Sequence, residues 1–124
     1  MRKGELTRMA RNPKTRPEML RRLASKRHPQ ILRALAQNPS APPEVLEALA
    51  QNPNPSVRVL VARNPNTPPG VLLRLFEEAG GDFLLQYFLA KNPNTPPGVL
   101  EGLLGSKYPA VRVEVERNLR NREV

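Results

Sequence analysis

The sequence predicts an all-α chain, a short solenoid of four two-helix units of about 26 residues with partial units at both ends. Three observations predict it. An Asn-Pro pair recurs at Asn12, Asn38, Asn64 and Asn92 in steps of 26, 26 and 28 residues, and Asn118 follows with Leu119 in place of the proline. Proline reaches 15 of 124 residues, yet it falls at fixed places instead of scattering as in a disordered tail. Apolar residues keep a helical spacing on both sides of each turn. The units run approximately over 10–35, 36–61, 62–89 and 90–115, with partial caps at 1–9 and 116–124.

Each unit reads as two short helices. Thr15, Thr67 and Thr95 stand where an N-cap belongs, and Pro68 and Pro96 follow at the first helical position, where a missing N–H is harmless. Thr15 with Glu18 forms a capping-box pattern. In the second unit Ala41 takes the threonine position, and Ser40 is the substitute cap. The first helices then present Met19, Leu20 and Leu23; Val45, Leu46 and Leu49; Val71, Leu72 and Leu75; and Val99, Leu100 and Leu103 on one face.

A polar turn leads to the second helix, whose apolar positions are Ile31, Ala34 and Leu35; Val57, Leu60 and Val61; Leu85, Phe88 and Leu89; and Val111 and Val115. Glu114 interrupts the last set. Val57, Val59 and Val61 alternate and by themselves admit a strand. Ile31–Leu35 and Leu84–Leu89 do not alternate, so the helix is preferred. The next Asn-Pro ends each second helix, because proline disfavours the α conformation before it. One such unit cannot bury a core alone, so neighbours must stack their Leu and Val into a shared strip.

The pattern Asn64, Pro65, Thr67, Pro68, Val71, Leu72 and Leu75, with Val57-Arg58 and Val111-Arg112, resembles the leucine-rich repeat variant family of bacteria. The resemblance runs from about Ala10 to Asn118. It implies a right-handed solenoid of alternating α and 3₁₀ helices without strands, so the second helices are allowed to be 3₁₀. The family's unit is slightly shorter, which leaves a HEAT-like α/α unit as the near alternative. Some members carry a cysteine cluster for an iron–sulfur centre; this chain has no Cys. The resemblance implies a binding module and no defined chemistry.

Composition narrows function further. Without Cys there are no disulfides, no thiol nucleophile and no thiolate metal site. His28 is the only His, a poor metal ligand by itself, and no Ser-His-Asp set or glycine-rich phosphate loop is present. The expectation is a non-enzyme with no metal and no cofactor. No apolar run is long enough to span a bilayer or to act as a signal peptide, so a soluble, cytoplasmic protein without membrane contact is expected, as monomer or weak homodimer.

Net charge is +9, and residues 1–35 supply all of it: 11 Lys/Arg against Glu5 and Glu18. Arg8, Arg11, Arg16, Arg21, Arg22, Lys26, Arg27 and Arg33 form the candidate partner or polyanion site, with a solubilising end cap as the plainer role. No aromatic lies among them, so base stacking is unavailable there. Phe76, Phe83, Tyr87 and Phe88 cluster near the two-residue insertion and Gly80-Gly81, and Phe76, Phe83 and Tyr87 form a candidate aromatic patch, with local packing as the alternative. Asn12, Asn38, Asn64, Asn92 and Asn118 are repeat markers expected to satisfy turn backbone. Arg58 and Arg112 are expected to bond between repeats. The sequence thus favours protein–protein interaction through a repeat face, with nucleic-acid or polyanion binding through residues 1–35 as the alternative.

Overall fold

A computed structural model describes residues 1–123; Val124, the last residue of the expected C-terminal partial unit, lies outside the described residues. Among the described residues there are nine α-helices and no strand. They are α1 (Lys3–Arg11), α2 (Pro17–Ala24), α3 (Pro29–Ala36), α4 (Pro43–Leu49), α5 (Pro55–Arg63), α6 (Pro69–Ala79), α7 (Phe83–Lys91), α8 (Pro97–Leu103) and α9 (Pro109–Arg122). The odd-numbered helices lie side by side in one layer, and the even-numbered helices cover them as a second. The N-terminal partial unit is therefore one odd-layer helix, α1, packed on α3.

The second helices are α, not 3₁₀. Their opening amides reach back four residues, as in Leu32 N–H to the His28 carbonyl at 2.9 Å and Gln86 N–H to the Asp82 carbonyl at 3.1 Å. Eight or nine residues with a proline or a capping Asp82 at the start suffice for two regular turns. α9 is longest because Leu119 supplies the N–H that proline lacks, so the helix runs through Asn118.

The threonines are not N-caps. Helices α6 and α8 begin at Pro69 and Pro97, and the cap residues are Pro68 and Pro96 in extended conformation. Pro68 precedes a proline, which keeps it out of the α region. Arg16 and Pro42 cap α2 and α4 for the same reason, and the expected capping box at Thr15 and Ser40's capping role do not form. The threonine hydroxyls instead donate to a carbonyl six residues back: Thr15 to Met9 at 2.7 Å, Thr67 to Val61 at 2.7 Å and Thr95 to Leu89 at 2.6 Å. Each ties the end of one unit's helix to the start of the next.

The core is one continuous strip from Ala10 to Val115 between the layers. Every apolar position expected in the first helices is buried except Met19, which is half-buried at the open end. In the second helices Leu60 and Phe88 are half-buried, for a reason that becomes plain at the outer face. Gly102 lets α8 approach α6: a Cβ there would lie 2.6 Å from the Phe76 ring.

Arg58 and Arg112 serve their own units, not the neighbours. Arg58 Nη1 donates to the Asn52 carbonyl at 2.7 Å, and Arg112 Nη1 to the Ser106 carbonyl at 2.5 Å. Gln86 makes the same six-residue clasp to Gly80, at 2.8 Å. An arginine one turn into the second helix reaches the preceding turn before it reaches another repeat. Unit one has Leu32 at this position and no clasp; its turn carries Arg27 at φ 56°, the only non-glycine positive φ among the described residues.

Candidate functional site

Surface geometry in this stack starts from the asparagine rungs. Asn64 Nδ2 donates to the carbonyls of Ala36 and Asn38 in the preceding unit, both at 2.9 Å. Asn38 does the same to Ala10 and Asn12, Asn92 to Ala62 and Asn64, and Asn118 to Ala90 and Asn92, all between 2.8 and 3.0 Å. The Asn64 Oδ1 accepts the Asn66 N–H of its own turn at 2.9 Å. Each of these rungs thus satisfies two carbonyls of the preceding unit; Asn38, Asn64 and Asn92 also fix their own turn through Oδ1, whereas the Oδ1 of Asn118, inside α9, accepts from Arg122 Nε at 2.9 Å. Asn12 is exposed and uses only its Oδ1, which accepts from Lys14 N–H at 2.9 Å.

With the rungs in register, the odd helices align column by column. The positions four and five residues before each rung border the outer face: Thr7 and Arg8, Arg33 and Ala34, Val59 and Leu60, Tyr87 and Phe88, Val113 and Glu114. The N-terminal half of this face is polar or small. The C-terminal half is apolar apart from the buried Glu114, and Leu84 and Val113 are 51% and 47% exposed there. The half-burial of Leu60 and Phe88 follows, since they sit at the boundary between core and outer face.

The candidate aromatics separate. Phe83 and Tyr87 meet at 5.7 Å between ring centroids, and Phe83 meets Tyr108 edge-on at 5.0 Å. Tyr87 meets Phe88 edge-on at 5.3 Å. Phe76 lies in the other layer, against Gly102. Tyr108 belongs to the cluster although sequence reasoning did not place it there; aligning Leu84, Tyr87, Phe88 and Val113 on the rungs was the signal that would have found the face.

A basic edge borders it. The residue before each rung is Arg11, Gln37, Arg63, Lys91 or Arg117, all exposed. The Arg63 guanidinium lies 4.9 Å from the Phe88 ring centre, and the Lys91 ammonium 5.4 Å from that of Tyr87. These pairs set cations directly against the apolar row. Glu114 is 8% exposed and accepts from Arg117 at 2.7 Å.

The eight candidate basic residues of the N-terminal third occupy several surfaces. Arg8 and Arg11 are on α1 and Arg33 on α3, in the odd layer; Arg21 and Arg22 are on α2, in the even layer; Arg16, Lys26 and Arg27 lie in turns. Arg21 Nε donates to Glu44 Oε1 at 2.5 Å across to α4. That bond holds the exposed Glu44 carboxyl below its ordinary range. Among the described residues no three His, Asp or Glu side chains come together as metal ligands, and no helix is long and apolar enough to cross a membrane.

A family model described as Leucine Rich Repeat Variant domain matches residues 4–63, and a second, Leucine rich repeat variant, matches residues 55–76. No curated protein and no solved structure matches the chain. The two family models together span residues 4–76, more than half of the chain, and what they share with it is the repeat whose rungs and paired helices are described above. The chain belongs to the leucine-rich repeat variant family.

Proposed function

We propose that this chain is a non-catalytic protein-binding module that engages a partner through the outer face of α5, α7 and α9. Repeats of this family are generally protein-interaction scaffolds. The observation that carries the choice of face is the run of Val59, Leu60, Leu84, Tyr87, Phe88 and Val113 on three consecutive odd-layer helices, interrupted at these registers by Ser56, Ala110 and Glu114, where α1 and α3 carry Gly4, Thr7, Arg8, Gln30, Arg33 and Ala34. A contiguous, partly exposed aromatic and aliphatic surface rimmed by cations has the composition of an interface core and rim.

The test is a photo-crosslinking residue placed at Leu84 or Val113, compared with one at Leu73 or Leu104 on the opposite side of the stack, which are 43% and 42% exposed. In lysate of the source organism the first pair yields discrete crosslinked proteins that the second pair does not. Equal labelling from both sides would contradict the assignment.

A further inference from the structure

Resting on that reading, we propose that the partner segment is an acidic, proline-rich stretch in polyproline II conformation that crosses α5, α7 and α9 with one carboxylate per rung. The basic edge is periodic. Arg63, Lys91 and Arg117 each stand on adjacent, packed helices, immediately before a rung. Packed helices lie about 8–10 Å apart. A polyproline II chain advances about 9 Å per three-residue turn, so every third side chain faces the same way. An acid at every third residue therefore meets successive cations without strain. The intervening residues fall on the aromatic row, and aromatic surfaces dock this preformed helix at low entropic cost.

A cleft lies beside each of these rungs. One of about 260 Å³ lies between Arg63, Phe88 and Lys91, and the next, about 340 Å³, between Lys91, Glu114 and Arg117. The local charge at Arg63 and Lys91 calls for an anionic occupant, while Arg117 already holds Glu114. Helices α5 and α7 carry no acid, and the α9 acids are Glu114, held by Arg117, and Glu116. Asp82 caps the opposite end of α7 and accepts the Leu85 N–H there. Glu116 shares the register of Ala36, Ala62 and Ala90, each fully buried between units, and so does not share the register of the outer face. The remaining acids of the central region, Glu44, Glu47, Glu77 and Glu78, are on α4 and α6 in the even layer. Arg63 and Lys91 are seated over Phe88 and Tyr87, so the cations and the apolar row form one surface. A nucleic acid uses the cations but not the exposed aliphatic Leu84 and Val113, which favours the peptide.

The experiment is fluorescence polarisation of the full chain with a labelled (Glu-Pro-Leu)₄ peptide. Its comparators are (Gln-Pro-Leu)₄, the two-residue-period (Glu-Pro)₆, a helical peptide of equal negative charge, and a twelve-nucleotide oligo-dT. The expected result is at least tenfold tighter binding of (Glu-Pro-Leu)₄ than of every comparator. Arg63→Glu with Lys91→Glu, and the milder Arg63→Gln with Lys91→Gln, weaken it at least tenfold and threefold; Arg22→Glu with Lys26→Glu leaves it within twofold. Circular dichroism confirms that each variant is folded. Equal or tighter binding of any comparator would overturn the proposal, as would insensitivity to the Arg63 and Lys91 changes. If the peptide fails while the Leu84 crosslinks persist, the docking face stands and only its partner chemistry is wrong; loss of both removes the face as well.

Discussion

At the scale of single residues, the asparagines are what make the repeat a stack. An interior rung satisfies two carbonyls of the preceding unit with one side-chain amide, and a buried carbonyl left without a partner costs about 1–3 kcal/mol. Asn64→Ala is therefore expected to destabilise the chain by about 2–4 kcal/mol in urea unfolding. Asn12→Ala removes only an exposed turn bond at the open end and is expected to cost less than about 1 kcal/mol. The contrast between two identical substitutions isolates the inter-unit bonds. Arg27 offers a second check. Its positive φ is costly for a side chain with a Cβ, so Arg27→Gly is expected to be neutral or to stabilise by up to about 1 kcal/mol. Glu44 supplies a pH test. The hydrogen bond from Arg21, with help from backbone, depresses its folded pKa below 4.5. A depressed carboxylate pKa adds stability above the unfolded value that disappears as pH falls through the folded one. NMR titration should show Glu44 moving back toward 4.5 in Arg21→Ala. Any stability that this ionisation contributes should be present above that acid window and vanish below it. The structural role of the asparagines was legible in the sequence because one residue type recurred with the period of the backbone. Which carbonyls they meet was not, since those atoms come from a unit 26 or 28 residues earlier.

At the scale of helices, the apolar columns were legible to within Met19, Leu60 and Phe88, because spacing alone fixes which side chains share a face. The starts were misread by one residue. A Thr-Pro pair fits the cap rule, but the second proline of Thr-Pro-Pro forces the first to stay extended, and that local restriction outranks the cap preference. Arg58 was misassigned for a related reason: the turn six residues back competes for the guanidinium and is nearer. Glycines in the first helices carry opposite expectations. Gly70 and Gly98 have open space where a methyl group would sit, so alanine there should stabilise by about 0.5–1 kcal/mol through helix propensity. Gly102→Ala meets the Phe76 ring and should destabilise by about 1–2 kcal/mol despite the same propensity gain. Thermal melts of the three variants decide it. If Phe76 is the obstacle, Phe76→Leu should remove most of the Gly102→Ala cost.

At the scale of the whole molecule, two layers give two unlike surfaces. The even layer carries Glu44, Glu47, Glu77, Glu78 and Glu101, and the odd layer carries the aromatic row and its basic edge. The concentration of charge in residues 1–35 was visible in the sequence, but its spread over α1, α2, α3 and the turns between them depends on how the helices pair. The aromatic patch was legible only in part, since Phe76 and Phe83 are close in the chain yet lie in different layers. All of this rests on every unit being fastened to its predecessor by the same side-chain bonds. Proton exchange of the asparagine side-chain amides by NMR tests that most directly. Asn38, Asn64, Asn92 and Asn118 should exchange slowly and share one protection set by global unfolding, while Asn12 exchanges at the rate of a free amide. Five amides exchanging equally fast would contradict the stack described here.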